Sequence, residues 1–145
     1  MQSSIDFSVS SVSTPGIKTV WEAKYADTCL NIAIPRCFGG PGNEASPEDL
    51  YLLSLLNCLI ATFKVFAEKS KLSYERLDGF AKLNLIQESS GVSSFKNIEI
   101  KLELFSPDNH VKAERLFNKV ESQSMIVNSV KTNVDINWTI KELKL

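Results

Sequence analysis

The chain has 145 residues, of which 43% are hydrophobic and 23% charged, the balance of an ordinary globular protein rather than of a disordered segment. Its net charge is -1 and its basic residues are scattered, so no field or patch would attract nucleic acid or an anionic membrane. We therefore expect one domain over residues 1–145, with neither nucleic acid nor membrane as a partner.

The N-terminal part of the chain is predicted to form strands. Apolar and polar residues alternate over residues 5–9, and two further candidate strands cover residues 17–25 and 28–34. Residues 35–42 then contain three glycines and two prolines, which neither a strand nor a helix tolerates. A loop is expected there.

A long helix is predicted after this loop. Ser46 can cap the helix, Pro47 suits its first position, and the acidic Glu48 and Asp49 favour the positive end of the helix dipole. Apolar residues lie nearly all round the helix axis over residues 50–66. We therefore expect this helix to be covered on several sides.

The second half of the chain returns to alternating patterns. Alternation begins after Gly79 and is strictest over residues 98–104, where one face is apolar and the other charged. A second helix is expected to start near residues 106–108 and to present an apolar stripe over residues 113–127. A last strand follows over residues 134–141. This order predicts an α+β fold with mainly antiparallel sheets.

The cysteines argue against a metal site. Cys29, Cys37 and Cys58 form no CxxC pair, and the single histidine, His110, has no cysteine near it in sequence. Neither a metal nor a cofactor is expected. The N-terminus also lacks the basic start and apolar run of a signal peptide, so three thiols predict a cytoplasmic protein.

One stretch of the chain resembles the OsmC/Ohr family (osmotically inducible protein C and organic hydroperoxide resistance). It carries Pro-Arg at 35–36, Phe-Gly-Gly-Pro-Gly at 38–42, Ser-Pro-Glu-Asp-Leu at 46–50, and Cys58 ten residues after Glu48. The resemblance implies an OsmC-like intertwined homodimer in which the sheets wrap around long central helices. It also implies thiol-dependent reduction of hydroperoxides, with organic ones preferred in the Ohr branch.

The resemblance further implies roles for three residues. Cys58 matches the cysteine that attacks the peroxide, Arg36 the arginine that supports it, and Glu48 the carboxylate that holds that arginine. The family's second cysteine, which resolves the oxidised first one, corresponds to Ser124 in this chain. A hydroxyl cannot form a disulfide, so resolution at that position is not expected.

The chemistry of a thiol at position 58 requires a cation. The thiolate is the attacking species, and an unperturbed cysteine, with a pKa of about 8.5, is only a few per cent ionised at pH 7. Cys58 has apolar neighbours, which disfavour the thiolate, and Arg36 is the best candidate to offset them. Ten residues place Glu48 about 15 Å from Cys58 along one helix. Either Arg36 spans that gap, or two antiparallel copies of the helix share the site.

Several alternatives remain open at the level of sequence. Oxidised Cys58 can be reduced by an external thiol, or Cys37 can act as a substitute resolving thiol. The protein can instead be an OsmC-like binding protein that holds a small thiol-containing or acyl ligand in the dimer pocket without peroxidase turnover. A purely structural dimer is the third alternative, with Arg36 as a solvated loop charge and Glu48 as a first-turn acid.

Overall fold

The N-terminal strands form a three-stranded antiparallel sheet in which strands that follow one another in sequence are neighbours. A computed structural model describes residues 2–91 and 93–143. The chain forms two compact units, Met1–Tyr51 and Leu52–Leu145. The strands of the first unit are β1 (Val9–Val12), β2 (Trp21–Tyr25) and β3 (Thr28–Ile32).

The first strand begins later than predicted. The alternating residues 5–8 lie outside any strand, and Ile5 and Phe7 are 77% and 95% exposed. No strand pairs with them among the described residues, so alternation alone did not fix their structure. The Pro- and Gly-rich segment is the expected loop, and it contains one 3-10 turn, Arg36–Phe38, which ends at Gly39 with a φ of 88°.

Helix α1 (Pro47–Lys69) starts where the sequence predicts. The backbone N–H of Asp49 donates to Ser46 Oγ at 3.0 Å, and the N–H of Ser46 donates to Asp49 Oδ2 at 3.0 Å. These reciprocal bonds form a capping box, which satisfies two backbone donors at the helix start. The predicted capping role of Ser46 is therefore confirmed, and Asp49 supplies the second half of the box.

The second unit contains a mixed three-stranded sheet whose strands are arranged in sequence order. Strands β4 (Arg76–Gln87) and β5 (Ser93–Phe105) are antiparallel, whereas β6 (Asn133–Lys141) runs parallel to β5. A parallel pair needs a crossover connection, and helix α2 (His110–Gln123) lies in it. The two helices and two sheets confirm the α+β class.

The core of the second unit is built from the apolar faces of α1, β5 and α2. Gly79 on β4 allows close approach to α1, because a Cβ there would lie 2.7 Å from Leu56 Cδ1. The ring of Phe63 packs near Trp138, and Trp138 stacks on Phe117 with ring centroids 4.4 Å apart. The fully or almost fully buried residues of these three faces are Leu55, Leu59, Phe63, Ala67, Ile98, Ile100, Leu102, Leu104, Ala113, Leu116, Phe117 and Val120.

Two further details differ from the sequence expectations. Helix α2 starts at His110, and its cap is Asn109, whose side chain accepts a bond from the N–H of Lys112 at 3.0 Å, rather than Ser106. Helix α1 buries only one stripe in the single chain, and its residues Leu53 and Val65 remain 50% and 49% exposed. By length and composition α1 would also suit a membrane span, a test that core helices of soluble proteins pass as well.

Candidate functional site

Cys58 lies in the middle of α1, next to the buried stripe. Leu55 and Leu59, on either side of it in sequence, are fully buried, whereas Cys58 itself is a free, partly buried thiol. Thr62, one turn later, donates its hydroxyl to the Cys58 carbonyl at 2.7 Å, a bond within the helix that leaves the sulfur untouched. In the single chain the sulfur is thus less enclosed than its apolar neighbours suggested.

Arg36 is held by its own loop. Its Nε donates to the carbonyl of Pro41 at 3.2 Å, and its Nη2 donates to Asn43 Oδ1 at 2.8 Å. Gly42 makes room for this arrangement: its φ is +65°, and a Cβ there would lie 2.9 Å from Arg36 Cγ. Arg36 is exposed to solvent. Its side chain is nevertheless oriented, because two hydrogen bonds and the close approach to Gly42 restrict its direction.

Glu48 lies in the first turn of α1 and is partly buried. Its Oε2 atom is buried and has no hydrogen-bond partner among the described residues. Glu48 and Arg36 both lie in the first unit. Among the described residues, no ion pair joins the two side chains. A buried carboxylate oxygen without a donor is costly, so this atom calls for a partner that the single chain does not supply.

The remaining residues singled out in the sequence are placed as follows. Cys37 is an exposed thiol in the 3-10 turn, and Cys29 is an exposed thiol on β3. Ser124 is fully buried at the end of α2, and its hydroxyl donates to the Val120 carbonyl at 2.7 Å. In the described ranges no three potential ligands cluster as a metal site would require.

The sequence reasoning missed Asn43. Its backbone has a φ of +65°, a region that asparagine tolerates better than most residues. The one signal that could have drawn attention to it is the Gly-Pro-Gly run before it, since such a run predicts a tight turn. What the run does not reveal is that the turn brings residue 43 back to the guanidinium of Arg36.

The fold and these residues define a class of α+β proteins in which a long helix carries a free cysteine and a glycine-rich loop carries an oriented arginine. The family model described as OsmC-like protein matches residues 40–139. This range covers more than half of the chain, and the chain belongs to the OsmC-like family.

Relatives and solved structures agree with this assignment. The uncharacterized protein YmaD of Bacillus subtilis (strain 168) is 28% identical over 111 residues, which cover 73% of each chain. An OsmC-like protein from Mycoplasma pneumoniae superposes with a TM-score of 0.78 at 14% identity, covering 94% of this chain and 97% of the other. An organic hydroperoxide resistance protein from Elizabethkingia anophelis gives 0.73 at 16% identity, covering 99% and 100%. The similarity to both structures shows the shared fold.

Proposed function

We propose that this protein reduces hydroperoxides, organic ones in preference, through Cys58 as a one-cysteine peroxidase. The observation that carries the proposal is a free, partly buried thiol in the middle of the long helix of an OsmC-like fold. A fully buried thiol would be inert, and a fully exposed one would have no apolar surroundings for an organic substrate. The fold shared with an organic hydroperoxide resistance protein supports the same reaction class.

The proposed reaction has two halves. The Cys58 thiolate attacks one oxygen of the hydroperoxide, the O–O bond breaks, and the leaving alkoxide takes a proton to become an alcohol. Cys58 is thereby oxidised to a sulfenic acid. An external thiol then forms a mixed disulfide with Cys58 and releases water, and a second thiol regenerates Cys58 by disulfide exchange.

Arg36 and Glu48 are assigned supporting roles in this reaction. The guanidinium of Arg36 stabilises the thiolate and the alkoxide that develops as the O–O bond breaks. Glu48 orients Arg36 through its carboxylate. Support for this role comes from the buried, unpartnered Oε2 of Glu48, which needs a donor such as a guanidinium.

We propose that two copies of the chain form the complete site. In the single chain Arg36 is bonded to Pro41 and Asn43, not to Glu48. Helix α1 also leaves Leu53 and Val65 half exposed, which is unusual for apolar residues of a long central helix. An antiparallel pairing of two α1 helices that cross near Leu53 would cover this residue and bring the start of one helix level with Cys58 of the other.

The reductant is proposed to come from outside the chain. Ser124 occupies the position expected for the resolving cysteine, and it is buried with its hydroxyl bonded to the Val120 carbonyl. A low-molecular-weight thiol or a carrier protein can reduce Cys58 instead. Cys37 is exposed next to Arg36, so it remains the alternative resolving thiol within the chain.

A second candidate function follows from Ser124. Without a resolving thiol, the same site can serve an OsmC-like binding protein that holds a small thiol-containing or acyl ligand and does not turn over peroxide.

The protein is proposed to act in the cytoplasm, since its thiols would stay reduced there.

The test is the consumption of cumene hydroperoxide and of hydrogen peroxide, measured with dithiothreitol or glutathione as reductant. We expect rapid consumption of the organic peroxide, lost in Cys58→Ser and retained in Cys29→Ser, the matched control for an exposed thiol. Cys37→Ser separates the two routes of resolution, because it slows turnover only if Cys37 is the resolving thiol. Consumption no faster in the wild type than in Cys58→Ser would refute the peroxidase and favour the binding protein.

A further inference from the structure

The loop around Arg36 contains a second functional residue. Arg36 Nη2 donates to Asn43 Oδ1 at 2.8 Å, the shorter of the two bonds that hold its guanidinium. We infer that Asn43 is a positioning residue, which aims Arg36 at the reacting sulfur and peroxide. The inference rests on the proposed function, because a direction for Arg36 matters only if the guanidinium takes part in the reaction.

The conformation of the loop suits this role. Residues 42 and 43 both have a φ of +65°, so the chain turns sharply back at this point. Asparagine adopts such a conformation more readily than most side-chain-bearing residues. The turn places the Asn43 amide against the guanidinium, while Gly42, which has no Cβ, lets the Arg36 side chain pass close to the backbone.

The chemistry of the amide is also suited to this role. Asn43 offers a neutral carbonyl oxygen, which accepts a hydrogen bond from Arg36 without cancelling its positive charge. A second carboxylate at this position, in addition to that of Glu48, would hold the guanidinium equally well, but it would compensate more of the charge that the thiolate needs. The two loop bonds use two of the five N–H donors of a guanidinium, so the others can address a thiolate or a peroxide oxygen.

Two variants separate orientation from charge. Asn43→Gly keeps the backbone conformation accessible and removes the acceptor, whereas Asn43→Asp keeps an acceptor and adds a negative charge. Ala26→Gly is the control for added backbone freedom, since Ala26 also has a positive φ, of 49°, in the turn between β2 and β3. All three variants leave Cys58, Arg36 and Glu48 in place.

The orientation of Arg36 can be measured without any peroxide. Phenylglyoxal modifies exposed guanidinium groups, and digestion with mass spectrometry gives the rate at each arginine. Arg76, which is bonded to Asp78 at 2.8 Å, serves as the internal reference. We expect Asn43→Gly to speed modification of Arg36 by about 3- to 10-fold relative to Arg76, the effect of losing one charge-assisted hydrogen bond. Asn43→Asp and Ala26→Gly should leave that rate within about twofold of the wild type, since neither removes the acceptor.

The effect on the reaction is read from the pH dependence of Cys58 alkylation and from cumene hydroperoxide consumption, with Arg36→Ala for comparison. We expect both Asn43→Gly and Asn43→Asp to move the midpoint of alkylation to higher pH and to lower kcat/KM by about 10-fold. Asn43→Gly does so because Arg36 loses its orientation, and Asn43→Asp because the added carboxylate compensates the charge of Arg36. An unchanged Arg36 modification rate in Asn43→Gly would overturn the inference. If Arg36→Ala alters both the pH midpoint and kcat/KM but Asn43→Gly leaves both at their wild-type values, the inference is also overturned. If Arg36→Ala changes neither, the proposed role of Arg36 fails, and the inference fails with it.

Discussion

The close contact between Gly42 and Arg36 leads to a quantitative prediction for Gly42→Ala. A Cβ at position 42 would lie 2.9 Å from Arg36 Cγ and 3.0 Å from Nε, whereas ordinary contacts begin at 3.4 Å. The arginine must therefore move by at least about 0.5 Å at its base, and more at the guanidinium. Displacements near 1 Å cost up to about 100-fold in rate when a catalytic group is misplaced. We expect kcat/KM for cumene hydroperoxide to fall by about 10- to 100-fold.

A matched control separates this effect from backbone strain. Gly91 also has a positive φ, of 85°, but a Cβ there would meet nothing within 4 Å. Alanine at either position costs roughly 1–2 kcal/mol of unfolding free energy because of the left-handed backbone. Guanidinium chloride denaturation should therefore give similar losses for Gly42→Ala and Gly91→Ala, while only the former loses peroxidase activity. Equal activities in the two variants would refute the argument that the loop positions Arg36.

Four further predictions concern the helices and the core. Ser46→Ala should lower the free energy of unfolding by about 1 kcal/mol in guanidinium chloride, because it removes half of the capping box. Leu53→Lys should turn the proposed dimer into a monomer in sedimentation equilibrium, because it replaces a half-exposed apolar residue of α1 with a charged one. Ser124→Cys should supply the missing resolving thiol, so that one equivalent of peroxide yields a disulfide with Cys58, detected by mass spectrometry of the digested protein. Burial raises the pKa of Tyr74 above its usual 10.0, so the folded state holds the phenol proton more tightly than the unfolded chain. Stability should thus fall as the pH rises past 10, and Tyr74→Phe should reduce that fall.

Each of these predictions has its own control. Ser122→Ala removes an exposed hydroxyl that bonds only within its helix, and a loss as large as that of Ser46→Ala would argue against the capping box. Val111→Lys alters an apolar residue of α2 that is 61% exposed, and it should leave a dimer intact. Ser124→Ala should give no disulfide, and over-oxidised Cys58 without a disulfide in Ser124→Cys would contradict the assignment of position 124 to the resolving cysteine. For Tyr74→Phe the control is the same denaturation near neutral pH, where the change of stability with pH should match that of the wild type.

The sequence predicted the features that depend on local patterns. The start of α1 follows from Ser46 and Asp49, because capping is a matter of neighbouring residues, and the buried face of β5 follows from strict alternation. The alternating residues 5–8 and the start of α2 at His110 were predicted wrongly, since alternation and a Ser-Pro-Asp sequence fit more than one structure.

The candidate site was predictable only in part. Cys58 and Arg36 were named from the sequence, but the bond from Arg36 to Asn43 depends on a tight turn whose dihedral angles no residue pattern specifies. The expected contact between Arg36 and Glu48 is not made in the single chain, and the role of Glu48 therefore stays a proposal.

The stacking of Trp138 on Phe117 has a practical consequence. The chain contains two tryptophans, and the other, Trp21, lies on β2 in the first unit. Each compact unit thus carries its own intrinsic fluorophore. With Trp21→Phe and Trp138→Phe variants, emission spectra would reveal whether the two units melt in one cooperative transition or one after the other.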